Sequence, residues 1–310
     1  MKRKLIANSF NEQMKKNQGE TLRKEMEFYI NLQEMKNFSK YTIRNNWNTF
    51  KKFESFAIEA FPDKLGNVNQ IGKNDIEDFI IYLRNGNYKP LTINKHIRIL
   101  KAFFSTLKRM NRIVKNPTNG ITVMKTDSEI KYIATAKEFE TMLNSLDLEK
   151  FGDVVTYVSI SILWYTGIRV GELAELKISD VDFENKVLII RKAKNRKGRK
   201  IPLNSKLFKT LKSYITIKNE ISGNNHLLVS VNDIPLSRDT LRGKIMKVSK
   251  ECKFEEVTCH SFRRSFATRM LEQGTNLLVI KELLGHKNLQ MLLSYAMVSD
   301  TVMKGEVEKL

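Results

Sequence analysis

Residues 187–203 read VLIIRKAKNRKGRKIPL, and this stretch decides the fold class. Val187-Leu188-Ile189-Ile190 is a short aliphatic run too brief for a helix. Lys194-Asn195-Arg196-Lys197-Gly198 then supplies turn residues, and Arg199-Lys200-Ile201-Pro202-Leu203 returns to extended chemistry. Two short runs around a glycine-ended turn predict a β-hairpin. Elsewhere the apolar spacing is helical. The expected class is therefore mainly α with a small β-sheet (α+β).

Outward from the hairpin, the apolar period returns to about 3.6 residues. Upstream, helices are expected over 136–146, 152–165 and 170–177. Thr135 with Glu138 forms a capping-box pattern at the first of these, and Gly167 stops the second. Downstream, helices are expected over 205–220, 237–252, 260–273, 276–284 and 288–295. Asn116-Pro117 ends an earlier helical region, because a residue before proline resists the helical conformation. Within that region Ile43, Trp47, Phe50, Phe53 and Phe56 form one stripe, and Ile93, Ile97, Leu100, Phe103, Phe104 and Leu107 another. Ser39 and Thr92 stand where N-caps belong. Residues 1–20 read as a flexible basic tail, 21–116 as a small helical domain, 117–134 as a linker and 135–310 as a second domain with a C-terminal tail.

The 310 residues carry 54 Lys and Arg against 34 Asp and Glu, a formal charge of +20. Residues 1–125 contribute 24 against 11 and the remainder 30 against 23, so both halves are basic. Counterion release by Lys and Arg drives association with phosphate backbones, and no basic amphipathic helix with an aromatic face points to a membrane surface instead. Two cysteines, Cys252 and Cys259, make neither a disulfide framework nor a CxxC spacing. Zinc on Cys252, Cys259 and His260 lacks a fourth ligand. No apolar run suits a secretory leader or a membrane span, so a cytoplasmic location is expected.

Four clusters carry chemistry. Thr166-Gly167-Ile168-Arg169-Val170-Gly171-Glu172-Leu173 sets an arginine after a glycine, between two helices. The basic hairpin surrounds Lys194. His260-Ser261-Phe262-Arg263, with Thr258 as cap, puts His and Arg on one helical face, with Phe262, Phe266 and Met270 forming the opposite, apolar one. Leu283-Leu284-Gly285-His286 is followed nine residues later by Tyr295. A phosphodiester needs a nucleophile, cations for its non-bridging oxygens and an acid for its leaving group. A phenol with pKa near 10 is ionised to about one part in a thousand at pH 7, and closing those roughly three units is worth about 4 kcal/mol from neighbouring cations. Paired guanidiniums suit the two oxygens, and a lysine suits the leaving hydroxyl. Arg169, Lys194, His260, Arg263, His286 and Tyr295 make that set without a metal or other cofactor. Glu172 and Asp180 read as structural carboxylates that hold the arginine box in place, and Trp47 and Trp164 as core.

The ordered boxes resemble the tyrosine recombinases, also called the phage integrase family, and most closely their short Xer-like members. The similarity covers about residues 20–300, with Phe38–Ile43 and Leu91–Pro117 similar to the family's helical core-binding (SAM-like) domain. The resemblance implies Tyr295 as nucleophile and Lys194 as catalytic lysine, with Lys192 and Lys197 as alternatives. It also implies a C-shaped clamp on double-stranded DNA, a 3′-phosphotyrosine intermediate, a Holliday junction, and a homo-tetramer acting on two DNA sites. Arg264 departs from the family, where histidine is common. So do Met291 and Leu292, at positions that are often polar, and the hairpin turn, which has less glycine than usual. The competing readings are a type IB topoisomerase and a non-catalytic DNA-binding regulator with a helix-turn-helix over 276–295.

Overall fold

The structure is a computed structural model that describes residues 21–126, 132–191 and 198–285. Residues 1–20, Lys192, Lys194, Lys197, His286, the expected helix 288–295 with Tyr295, and the tail beyond lie outside the described residues. The chain divides into two compact units, Met1–Glu129 and Ile130–Leu310. The described residues are mainly helical with one small sheet, the class expected from the hairpin and the helical stripes around it.

Among the described residues of the first unit, four α-helices follow in order: α1 (Leu22–Met35), α2 (Lys40–Ala60), α3 (Lys73–Asn85) and α4 (Pro90–Arg109). Ser39 caps α2, its hydroxyl accepting from the Thr42 amide at 3.1 Å. Thr92 is not a cap. α4 begins at Pro90, whose missing N–H costs nothing in a first turn, and Lys89 occupies the cap position. The two aromatic stripes meet in the core, where Phe50, Phe53, Phe79, Phe103 and Phe104 are all but inaccessible. Trp47 packs at its edge, only partly buried. Residues 117–126 are less a free connector than the linker reading supposed. Ile121 is buried in this core, Lys101 Nζ donates to its carbonyl at 2.7 Å, and the Asn94 amide brackets Met124 through both backbone groups.

The second unit comprises α5 (Ala136–Asn144), α6 (Phe151–Thr166), α7 (Val170–Ala174), β1 (Val181–Asp182), β2 (Val187–Ile190), β3 (Arg199–Pro202), α8 (Ser205–Ile221), α9 (Arg238–Glu251), α10 (Cys259–Glu272) and α11 (Leu277–Leu284). Thr135 and Glu138 form the capping box of α5. α6 is apolar almost all round and lies in the core, as such a helix must. Trp164 near its end is sandwiched, stacked on Phe139 and edge-on to Phe262 of α10. α7 is shorter than the expected 170–177. The chain leaves the helix so that the Leu176 carbonyl accepts from the Leu227 amide at 2.7 Å and the Ile178 amide donates to Asn225 at 2.9 Å. The antiparallel sheet runs β1-β2-β3, with Ile190 opposite Arg199. β1 is too short to leave a periodic signal.

Gly167 decides how α6 hands over to the arginine box. It caps α6 in the left-handed region at φ 61°. A Cβ there would sit 2.7 Å from a ring carbon of Phe266 and 2.8 Å from a methyl of Leu284. Gly167→Ala combines left-handed strain with a clash and is expected to cost roughly 2–4 kcal/mol. Gly223→Ala, which meets nothing within 4 Å, should stay within about 0.5 kcal/mol. Urea midpoints at unchanged m-value report the difference.

Candidate active site

Among the described residues, arginines gather around one carboxylate and one helix end. Arg169 is the N-cap residue of α7, held in extended geometry by Glu172, which accepts from the Arg169 amide at 2.9 Å and from its Nη1 at 3.1 Å. The same carboxylate accepts two forked bonds from Arg199, the first residue of β3, at 3.2 and 2.9 Å. Arg199 Nε donates to the Leu283 carbonyl at 2.6 Å. Arg263, from α10, donates to the Gly167 carbonyl and to the Leu284 carbonyl, both at 2.7 Å. Arg169 Nη1 reaches that same Leu284 oxygen at 3.4 Å.

Two arginines from separate motifs therefore meet over a single oxygen at the C-terminal end of α11. The last carbonyls of a helix have no partner within it and carry the negative end of its dipole, so guanidiniums belong there. Gly285 ends α11 in the left-handed region at φ 62°, which turns the chain out of the helix just before His286.

His260 stands in the first turn of α10, whose cap is Thr258, accepting from the Ser261 amide. The residue as a whole is exposed. Desolvation of its ring, then the positive charges of Arg264, Arg263, Arg169 and Arg242, push its pKa below the usual 6.5. This favours the neutral imidazole, which can accept or donate a proton, and an arriving anion would raise its pKa.

The expectation that α10 exposes one face is corrected at Arg263. This residue is 5% exposed, because carbonyls from Gly167 and Leu284 surround its guanidinium, and of Ser261 to Thr268 only Arg264 is not buried. Arg264 points elsewhere, its Nε donating to the Tyr132 carbonyl at 2.6 Å. Asp180 accepts from the Lys177 amide at 2.9 Å and from Arg191 Nε, so it holds the hairpin and not the arginine box. Glu172 does hold the box. Arg199 and Arg242 escaped the sequence reading. For Arg199 a signal existed: strand alternation puts it on the inward face with Ile201, an odd place for a charge unless it is paired. Arg242 lies on the exposed side of α9 with no motif to mark it. Among the described residues, no three His, Cys, Asp or Glu side chains form a metal-binding group, and no helix is long and apolar enough to cross a membrane.

In the first unit, α4 presents Lys95, Arg98 and Arg109 outward together with the small Ala102 and Ser105. α2 presents Lys40, Arg44 and Lys51. Lys95 Nζ donates to Asn45 of α2 at 2.9 Å, which sets the two basic stripes side by side.

Comparison with known proteins bears on this arrangement. Residues 133–301 match the phage integrase family, and residues 22–111 match the phage integrase N-terminal SAM-like domain. A tyrosine recombinase of Thermosipho africanus is 29% identical over 278 residues, covering 86% of this chain and 94% of its own length. The tyrosine recombinase XerC of Bacillus subtilis is 29% identical over 286 residues, covering 88% and 91%. Among solved structures, the Tn1549 transposon integrase in complex with transposon right end DNA superposes with a TM-score of 0.76 at 23% identity, over 94% of this chain and 99% of that one.

Glu172 generates a test of the cluster itself. Burial raises its pKa, but the Arg199 fork, the Arg169 amide and both guanidinium charges outweigh this and hold it at about 2, against an ordinary 4.5. Its contribution to stability is complete above about pH 4.5 and is lost as the pH falls toward 2. Glu172→Gln is expected to remove up to about 3 kcal/mol at pH 7 and to flatten the acid limb between those pH values. Urea titrations from pH 7 to 2 read both.

Proposed function

The chain belongs to the phage integrase family, and from that premise we propose that it is a tyrosine-type site-specific recombinase, an enzyme that cuts and rejoins double-stranded DNA. The observation that carries the reading is the meeting of Arg169 and Arg263 over the Leu284 oxygen, two residues before His286. Two guanidiniums that converge on one point suit the two non-bridging oxygens of one phosphodiester. Donors set in place before the reaction avoid the reorganisation that water would require, and one such donor is typically worth about 100- to 1,000-fold in rate.

The chemistry balances with side chains alone. The oxygen of Tyr295 attacks phosphorus as its proton leaves to a neighbouring base, for which His260 and His286 are the candidates. The bond from phosphorus to the 5′-oxygen breaks, and that oxygen takes a proton from Lys194, or from Lys192 or Lys197. The product is a 3′-phosphotyrosine and a free 5′-hydroxyl. A 5′-hydroxyl from a partner duplex then reverses the steps, releasing Tyr295 with strands exchanged. The ester energy is conserved, so neither ATP nor a metal enters the scheme. Exchange between two sites passes through a Holliday junction and calls for four protomers. The basic stripes of α2 and α4 are the proposed DNA surface of the first unit, with small residues that admit a close backbone. A DNA substrate puts the enzyme on the nucleoid, in the cytoplasm. Curated relatives that match at nearly full length are recombinases, which supports this reading over a topoisomerase or a non-catalytic regulator.

Two results are expected. On a duplex nicked beside the cleavage site, the wild-type chain forms a covalent adduct seen on denaturing gels, whereas Tyr295→Phe binds with an affinity within twofold and forms none. Loss of binding in Tyr295→Phe, or an adduct that persists, contradicts the assignment. In the first unit, the double variant Lys95→Ala/Arg98→Ala should weaken binding to all sequences alike. It should also reduce the slope of log K against log salt by about 2, two phosphate contacts' worth.

A further inference from the structure

Arg199 is buried, with 5% of its side chain exposed, and all three of its nitrogens donate to protein acceptors: Nε to the Leu283 carbonyl, Nη1 and Nη2 to the two oxygens of Glu172. Its fork is taken up by both oxygens of Glu172, the same carboxylate that braces Arg169, which places Arg199 behind Arg169 in the site. Its place in the fold gives it another use. It opens β3, opposite Ile190, and follows closely in sequence on Lys192, Lys194 and Lys197. Across the pair, Arg191 follows β2 and is tied to the buried Asp180, with 62% of its side chain exposed. Arg199 reaches α11, on the carbonyl next to the one shared by Arg169 and Arg263. Packing at this point is close: a Cβ on Gly285 would lie 3.0 Å from Arg199 Nη1.

We propose that Arg199 is a positioning residue for strand cleavage, fixing the lysine-bearing hairpin, the Glu172-braced Arg169 and the exit of α11 toward His286 and Tyr295 in one frame. It fastens the start of β3, just after the candidate lysines in sequence, to the end of the helix that precedes the nucleophile. A misplacement of about 1 Å at a reacting group costs on the order of 100-fold in rate. The inference rests on the recombinase reading of the site.

Arg199→Lys tests it. The charge opposite Glu172 is kept, but one ammonium cannot fork to the carboxylate and reach Leu283 as well. Single-turnover adduct formation on nicked duplex is measured at saturating protein, beside DNA affinity and thermal melting. The control is Leu211→Ala, a destabilising cavity in α8 that is fully buried and makes none of the contacts of the Arg169–Glu172–Arg199 cluster. Each variant is assayed at the same interval below its own melting temperature. Arg199→Lys is expected to cleave 10- to 100-fold more slowly, the range seen when groups behind a first contact layer are lost, with DNA affinity within twofold of wild type. Leu211→Ala should cleave within threefold of wild type. If Arg199→Lys does not fold, Gly285→Ala takes its place, because its methyl displaces Arg199 from α11 without removing it, and the same rate loss is expected. Cleavage by the substituted chain at the rate of Leu211→Ala overturns the proposal, because the residue would then be merely structural. So does a loss of affinity that accounts for the whole defect, because Arg199 would then touch DNA. Absence of an adduct with the wild-type chain would instead sink the recombinase reading itself.

Discussion

One carboxylate organises the described part of the site. Glu172 receives the Arg169 amide and guanidinium and the Arg199 fork, while Arg199, Arg169 and Arg263 together satisfy the last two carbonyls of α11. A buried charge is tolerable only when it is paired and its hydrogen bonds are made. Here that requirement joins segments far apart in the chain: the end of α6, the start of α7, the start of β3, the middle of α10 and the end of α11. The cations crowd one another, and the cluster holds because the negative charge of Glu172 and the dipole end of α11 lie between them. The excess positive charge that remains is what an approaching phosphate would meet.

Glycine makes the arrangement possible at two places. Gly167 lets Phe266 and Leu284 close over the end of α6, and its carbonyl becomes an anchor for Arg263. Gly285 lets α11 stop directly against Arg199. Both residues have left-handed backbone, and both touch the arginine cluster. Local strain, core packing and the position of the cations are thus set by the same few atoms.

Much of this was legible in the sequence. The hairpin was visible because its aliphatic run is too short for a helix and a glycine turn follows it. The caps at Ser39, Thr135 and Thr258 were visible because hydroxyl-to-amide spacing is local chemistry. The arginine box stood out as an arginine after a glycine between two helices, and His260 and Arg263 as a polar pair on the face opposite Phe262, Phe266 and Met270. What the sequence hid was tertiary. The burial of Arg263 depends on carbonyls from α6 and α11, which no local pattern announces. Thr92 looked like a cap, yet Pro90 starts the helix two residues earlier. The shortening of α7 follows from pairing with residues 225–227, about fifty positions on. Glu172 was read as a brace for the arginine box, and it is one. That it also binds Arg199 could be seen only once strand alternation was joined to the fold.

The central claim is that Arg169, Arg263 and Tyr295 act on one phosphorus atom. Its most direct measurement is a structure of the chain on cleaved duplex DNA with vanadate in place of the scissile phosphate, a trigonal-bipyramidal mimic of the transferring group. The account predicts the Tyr295 oxygen at one apex, the 5′-oxygen at the other, and the guanidiniums of Arg169 and Arg263 each within hydrogen-bonding distance of an equatorial oxygen. Vanadate bound at a different side chain, or either guanidinium left out of reach of every equatorial oxygen, would contradict it.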